Sequence, residues 1–168
     1  CRRGPDAAII FHAENGERRE LSWDALHDQV ARTSRALSAM GVQAGDRVAG
    51  YMPNMPEAVI AMLATVAIGG IWSSCSPDFG TQGMLDRFGQ IEPKVLFTAN
   101  GYFYDGKAFD SLQTVTELIA LIPSLTQVVV VPLTDPNADI SCLGGKGIGY
   151  LEMVQAYSGA VIDYVTMG

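Results

Sequence analysis

Residues 71–80 read IWSSCSPDFG, which places three hydroxyls and a thiol at Ser73, Ser74, Cys75 and Ser76 before a proline turn. Such a cluster could supply a nucleophile. A thiol reacts when a base or an electropositive setting raises its thiolate fraction. The sequence pairs no histidine with Cys75, because His12 and His27 both lie far upstream. No G-x-S-x-G frames any of the serines. The run therefore reads as a ligand-facing loop rather than a nucleophile. Small polar side chains at the carboxyl end of a parallel strand let a ligand approach the backbone closely, and ligands of open α/β sheets bind there.

Two other stretches could handle phosphate. GGKG, 144–147, has the glycines and lysine of a phosphate loop, but Gly147 stands where Ser or Thr should follow Lys146. Two spacer positions are also missing, so a flexible loop is expected. No G-x-G-x-x-G follows any apolar run. Lys107, in Tyr104-Asp105-Gly106-Lys107, follows the end of the Val95–Thr98 run. A lone lysine is ordinarily a solvated surface charge, and a phosphate contact is the sharper alternative. Cys1, Cys75 and Cys142 show no C-x-x-C spacing and have no histidine nearby. They read as reduced cytoplasmic thiols, not as a metal site.

The elements that must carry these residues follow from periodicity. Ala8–Phe11 and Arg18–Leu21 flank Asn15-Gly16 and predict an N-terminal β-hairpin. Ser22 reads as an N-cap, with Trp23, Leu26, Val30, Leu37 and Met40 at helical spacing and Gly41 as the stop. His27 falls on the wetter face. Arg47–Met52 predicts a strand and Glu57–Ile68 a helix opened by Pro56. That helix is apolar nearly all round and should be buried on more than one side. Ile71–Ser74 is expected to be a buried strand, and Thr81 to cap a helix with Met84, Leu85, Phe88 and Ile91 inward. Val95–Thr98 is a strand, ANGYFYDGKAF a glycine-aromatic loop, and Ser111 the start of a helix through Ile122 closed by Pro123. Val128–Val131 has the pattern of a strand buried on both faces. Beyond Pro132 the chain reads as loop, with a short helix over Tyr150–Tyr157. Alternating strands and helices predict an α/β fold, a mainly parallel sheet with flanking helices behind the hairpin.

Composition narrows the class. The 168 residues are 48% hydrophobic, enough for a packed core, and carry a net charge of −7 with no basic stripe. That excess of negative charge repels nucleic acid. The longest apolar stretch, Ala58–Ile71, is too short for a bilayer, which needs about 20 apolar residues. No membrane partner is expected, and a soluble protein is. The chain opens on CRRGPDAAII without an initiating Met, as a trimmed or internal fragment would.

Several segments together carry a resemblance. GDRVAGYMPNMPEAVIAMLATVAIGGIWSSCSPDFG, 45–80, resembles the N-terminal part of acyl-CoA synthetases in the adenylate-forming superfamily. IWSSCSPDFG with LDRFGQIEPKVLF, 85–97, is most similar to the acetoacetate–CoA ligases among them. The match runs from about Leu21 to Pro132. The resemblance implies a parent enzyme that uses ATP, CoA and Mg²⁺ to turn a carboxylate into an acyl-adenylate and then a thioester. Acetate or propionate ligases are the sister alternatives, and a non-catalytic binding module is the alternative from another class. The family's phosphate loop, Thr-Glu motif and C-terminal lysine do not occur in residues 1–168. Those residues are therefore expected to be a partial N-terminal domain, without catalytic residues of its own, inactive alone and holding no cofactor tightly. Acetyl-CoA synthetases carry an R-x-G-[RK] element for CoA phosphates where this chain has Tyr104, Asp105, Gly106 and Lys107. Lys107 keeps the second charge, while Tyr104 replaces the first arginine and cannot neutralise a phosphate. Tyr104, Gly106 and Lys107 are thus the CoA candidates. By the same likeness Ser76, Pro77, Asp78, Phe79 and Gly80 border the CoA approach. The expected partners are small molecules, with self-association through apolar surface that the rest of the parent would cover.

Overall fold

A computed structural model describes residues 3–165. Residues 1–2, with Cys1, and residues 166–168 lie outside the described residues. The hairpin forms as expected: β1 (Ala7–His12) pairs antiparallel with β2 (Arg18–Ser22), and Gly16 takes the positive φ of 87° that its turn requires. Helix α1 (Trp23–Ala39) starts at Ser22, whose hydroxyl accepts from the Ala25 N–H at 3.1 Å. A cap of this kind stabilises a helix by about 1 kcal/mol. Strand β3 (Arg47–Tyr51), helix α2 (Pro56–Ala67), β4 (Ile71–Cys75), α3 (Thr81–Ile91) and β5 (Val95–Ala99) follow in strict alternation. A second hairpin, β6 (Gly101–Tyr104) and β7 (Lys107–Asp110), precedes α4 (Leu112–Leu121) and β8 (Gln127–Val131). A 3₁₀ turn over Ser141–Lys146, β9 (Gly147–Gly149) and α5 (Tyr150–Gln155) complete the chain.

Five parallel strands form the main sheet in the order β4-β3-β5-β8-β9. Side chains alternate across it. Val95, Phe97 and Ala99 of β5 meet α1, α2 and α5, while Leu96 meets α3 and α4 on the opposite face. All five β5 residues are buried, and so are Val128–Val131 of β8, as their unbroken apolar runs require.

Six expectations are revised. Strand β4 is an edge strand, paired with β3 alone, so Ile71 is 51% exposed and only Cys75 is buried. The α3 cap is Gly80; Thr81 is the first helical residue, and its hydroxyl donates to Glu117 of α4 at 2.6 Å. Residues 101–110 are a hairpin, not a loop, and residues 147–149 add a fifth strand beside β8. Helix α2 buries Ile60, Ala61 and Ala64, but leaves Met62, Leu63 and Val66 exposed on its far side. Its second apolar face is left largely uncovered, with only the last described residues reaching its edge. Beside it, His27 is half-buried rather than exposed, and its ring nitrogen lies 3.2 Å from the Arg3 guanidinium. No helix among the described residues is long and apolar enough to cross a membrane.

Candidate functional site

The chain runs from β3 outward to β4, then returns past β3 to β5, so the direction of winding reverses between β3 and β5. Crevices at the carboxyl ends of strands flanking such a reversal are where open α/β sheets hold ligands. A cleft of about 410 Å³ lies beyond these strand ends. Ser74, Ser76, Pro77 and Asp78 form one wall, Asn54 after β3 the floor, and Tyr102 and Tyr104 of the second hairpin the facing wall. Glu14, at the tip of the first hairpin, closes the rim.

The structure thus brings together Ser76, Pro77, Asp78 and Tyr104. Phe79 and Gly80 do not line this cleft: Phe79 lies under the Arg87 guanidinium, 4.5 Å from the ring centre, and Gly80 caps α3. Gly106 and Lys107 do not line it either. Asp105 and Gly106 have φ of 50° and 70°, which makes a tight turn. Lys107 pairs with Tyr104 directly behind that turn and is exposed.

The loop is fixed from below. The buried Tyr51 hydroxyl, at the end of β3, lies 2.7 Å from the Pro77 carbonyl oxygen and 3.1 Å from that of Phe79, donating to both. Burial pushes the Tyr51 hydroxyl up to about 12, so it stays a donor across the ordinary pH range. Burial likewise pushes the Cys75 thiol up to about 11; a pull from Arg87 in the other direction does not offset it. Burial thus works against Cys75 as a nucleophile. At pH 8 only about one Cys75 in a thousand is thiolate. Iodoacetamide should label exposed Cys142 well before buried Cys75. Equal labelling rates by peptide mapping would contradict this.

The remaining motif resolves as structure. Lys146 turns inward and donates to the Leu125 carbonyl at 2.7 Å, so GGKG holds a 3₁₀ turn against the core and presents no phosphate cradle. Asn100, buried after β5, accepts from the Leu133 and Thr134 N–H groups and donates to the Asp135 carbonyl. It anchors the segment on which the second hairpin rests. Glu14, Asn54, Tyr102 and the anchoring Tyr51 escaped the sequence reading. For Tyr102 a signal was present, since Asp105-Gly106 between Tyr102 and Phe109 is a hairpin pattern.

An open parallel sheet with its cleft at the winding reversal defines a ligand-binding α/β domain. The chain belongs to the family of AMP-binding enzymes, whose model matches residues 1–147. It is 43% identical over 92% of its length to an acetoacetyl-coenzyme A synthetase of Rhizobium meliloti, covering 23% of that protein. A malonamoyl-CoA synthetase of Penicillium aethiopicum is 43% identical over 73% of the chain, which covers 17% of it. Among solved structures, acetoacetyl-CoA synthetase from Streptomyces lividans superposes with a TM-score of 0.85 at 42% identity, over 95% of this chain and 24% of that one. The chain thus spans less than a quarter of the length of each of these relatives.

Proposed function

We propose that the parent protein is an AMP-forming acid–CoA ligase acting on acetoacetate, and that residues 1–168 are a partial N-terminal domain bordering its CoA entrance. The observation that carries this reading is the cleft itself. It joins the 76–80 loop to the second hairpin at the sheet's winding reversal, in a chain 43% identical to an acetoacetyl-coenzyme A synthetase. In such a ligase the carboxylate attacks the α-phosphorus of ATP and expels pyrophosphate. The CoA thiolate then attacks the acyl carbon and AMP leaves.

The chain's own residues limit its share in that chemistry. The cleft is lined by the carboxylates Glu14 and Asp78 and by no lysine or arginine. Two carboxylates repel a triphosphate, so this wall suits an uncharged arm of CoA bearing amide and hydroxyl groups. Lys107, behind Tyr104, and Arg87, over Phe79, are the cations nearest in the chain to these walls and the candidates for CoA phosphates. Among the described residues no group of three or more His, Cys, Asp or Glu could hold a metal ion. On this reading, metal and triphosphate binding belong to the remainder of the parent. With unpaired thiols at Cys75 and Cys142, a reducing, cytoplasmic setting fits.

The test is AMP release by the full-length protein with ATP, CoA and a panel of short acids. Turnover with acetoacetate is expected. Preference for acetate, propionate or a malonamoyl acid would reassign the substrate, and no adenylation of any acid would favour a non-catalytic module.

The uncovered face of α2 fits the same proposal. A groove of about 430 Å³ between α1 and α2 is lined by Trp23, Val30, Leu63 and Val66. The last described residues enter it: Ile162 is buried, and the Val165 N–H donates to the Ala67 carbonyl at 3.0 Å. The remainder of the parent covers this face, and in the isolated chain a second copy does so. Light scattering should show dimers or larger species, and Val66→Glu should return the monomer. A monomer without that substitution would overturn the proposal.

A further inference from the structure

We infer that Tyr51 is a positioning residue for CoA: through its hydroxyl it sets the height of the 76–80 loop over the cleft. The inference rests on the reading of that loop as the border of the CoA approach. Three observations carry it.

The first is the economy of the tether. Among the described residues, Tyr51 is the only side chain that hydrogen-bonds to residues 76–80, and it reaches two of their carbonyls, Pro77 at 2.7 Å and Phe79 at 3.1 Å. The loop's other ties are local, from the Phe79 N–H to the Ser76 carbonyl and from the Met84 N–H to that of Gly80. Those ties shape the loop without fixing it to the sheet.

The second is the rigidity of the support. Tyr51 ends β3, is 3% exposed, and is in register with Cys75 on one side and Thr98 on the other. The anchor is therefore braced by two neighbouring strands, and the position of the sheet passes to the loop through one oxygen.

The third is chemical. Phenylalanine would fill the same apolar space among Ala49, Leu96 and Met84. A buried hydroxyl is costly unless it finds partners. Here both acceptors of the hydroxyl belong to the loop. The oxygen thus adds nothing to the core's packing that a bare ring would lack, and its specific effect is to hold Pro77 down while Ser76 and Asp78 face outward.

The experiment uses the full-length enzyme with Tyr51→Phe. The KM for CoA should rise about five- to tenfold, matching the loss of one net hydrogen bond. The acid-dependent exchange of pyrophosphate into ATP, which needs no CoA, should stay within about twofold, because on this reading the loop meets CoA alone. A merely structural role would lower the melting temperature and leave the KM for CoA unchanged, and that result overturns the inference. Tyr51→Met, which also lacks the hydroxyl but fills the apolar site with a flexible side chain, should raise the KM for CoA by a similar factor and decides the matter if Tyr51→Phe is insoluble. Ser76→Leu, which narrows the cleft mouth, separates the two levels. If it leaves the KM for CoA unchanged, the reading of the loop fails. If it raises KM while Tyr51→Phe does not, only the role of Tyr51 fails.

Discussion

Arg19→Ala is expected to lower the stability of the fold by about 2–3 kcal/mol. The guanidinium of Arg19, on β2, makes two parallel hydrogen bonds to the Glu57 carboxylate in the first turn of α2, at 2.7 and 2.9 Å. The Phe11 ring lies beneath it, 5.1 Å from the guanidinium carbon to the ring centre. Breaking a fully buried pair by removing one partner costs about 3–5 kcal/mol, because the other charge is left without compensation. Here the Glu57 side chain is 11% exposed but that of Arg19 is 37%, so water can partly replace the guanidinium. The positive end of α2 supports the carboxylate by roughly 0.5 kcal/mol more. Both effects bring the expected loss below the fully buried figure. The same pair is the main polar link between the N-terminal hairpin and the sheet's helical layer, so β1 and β2 should lose amide protection first. Adding Glu57→Gln to Arg19→Ala should recover part of the loss, since the uncompensated charge goes with it. Urea denaturation of the two variants decides it: a loss under about 1 kcal/mol in the single variant would place the pair among ordinary surface salt bridges.

How far such features can be read from sequence depends on what each element packs against. Strands β5 and β8 are legible because VLFTA and VVVV have no polar face, and the structure buries both sides. Strand β4 is not, because Ile71-Trp72 looks the same whether its second edge is paired or open, and only the strand order shows it open. Strand β9 reads Gly-Ile-Gly, with no alternation to detect; it is extended because β8 offers it a partner. Helix α2 shows the opposite case. Its all-round apolar pattern predicts burial on more than one side, and the structure buries one face while leaving Met62, Leu63 and Val66 exposed on the other. At the site, the exposed loop 76–80 could be singled out from its residues and its likeness to a family. Its anchor could not. Tyr51 meets carbonyls 26 and 28 positions away, and a backbone acceptor leaves no trace in the identity of the residue that bears it.

The facing wall of the cleft leads to the second large effect, at Gly101. This glycine opens β6 opposite Asp110, with an ordinary negative φ, so conformation alone would admit other residues. Space does not. A Cβ there would lie 2.3 Å from the Phe109 carbonyl oxygen and 2.6 Å from the Thr134 hydroxyl oxygen. The threonine could rotate away, but the carbonyl belongs to the partner strand and can move only if the hairpin moves. Displacing it pulls on Asn100, the preceding residue, whose side chain joins β5 to residues 133–135 through three hydrogen bonds. Gly101→Ala should therefore cost about 2 kcal/mol and Gly101→Val about 3 kcal/mol or more, at the upper end of overpacking penalties. Adding Thr134→Ser should recover little, because it leaves the carbonyl contact in place. The damage should also reach the site, since Tyr102 and Tyr104 ride on the displaced strand and Tyr102 stacks on Phe109 with ring centres 5.3 Å apart. In the full-length protein the KM for CoA should rise together with the loss of stability, whereas Tyr51→Phe should move the KM with little change in melting temperature. Alanine at 101 with both quantities unchanged would mean that the hairpin is free to shift, and that the wall it forms does not define the cleft.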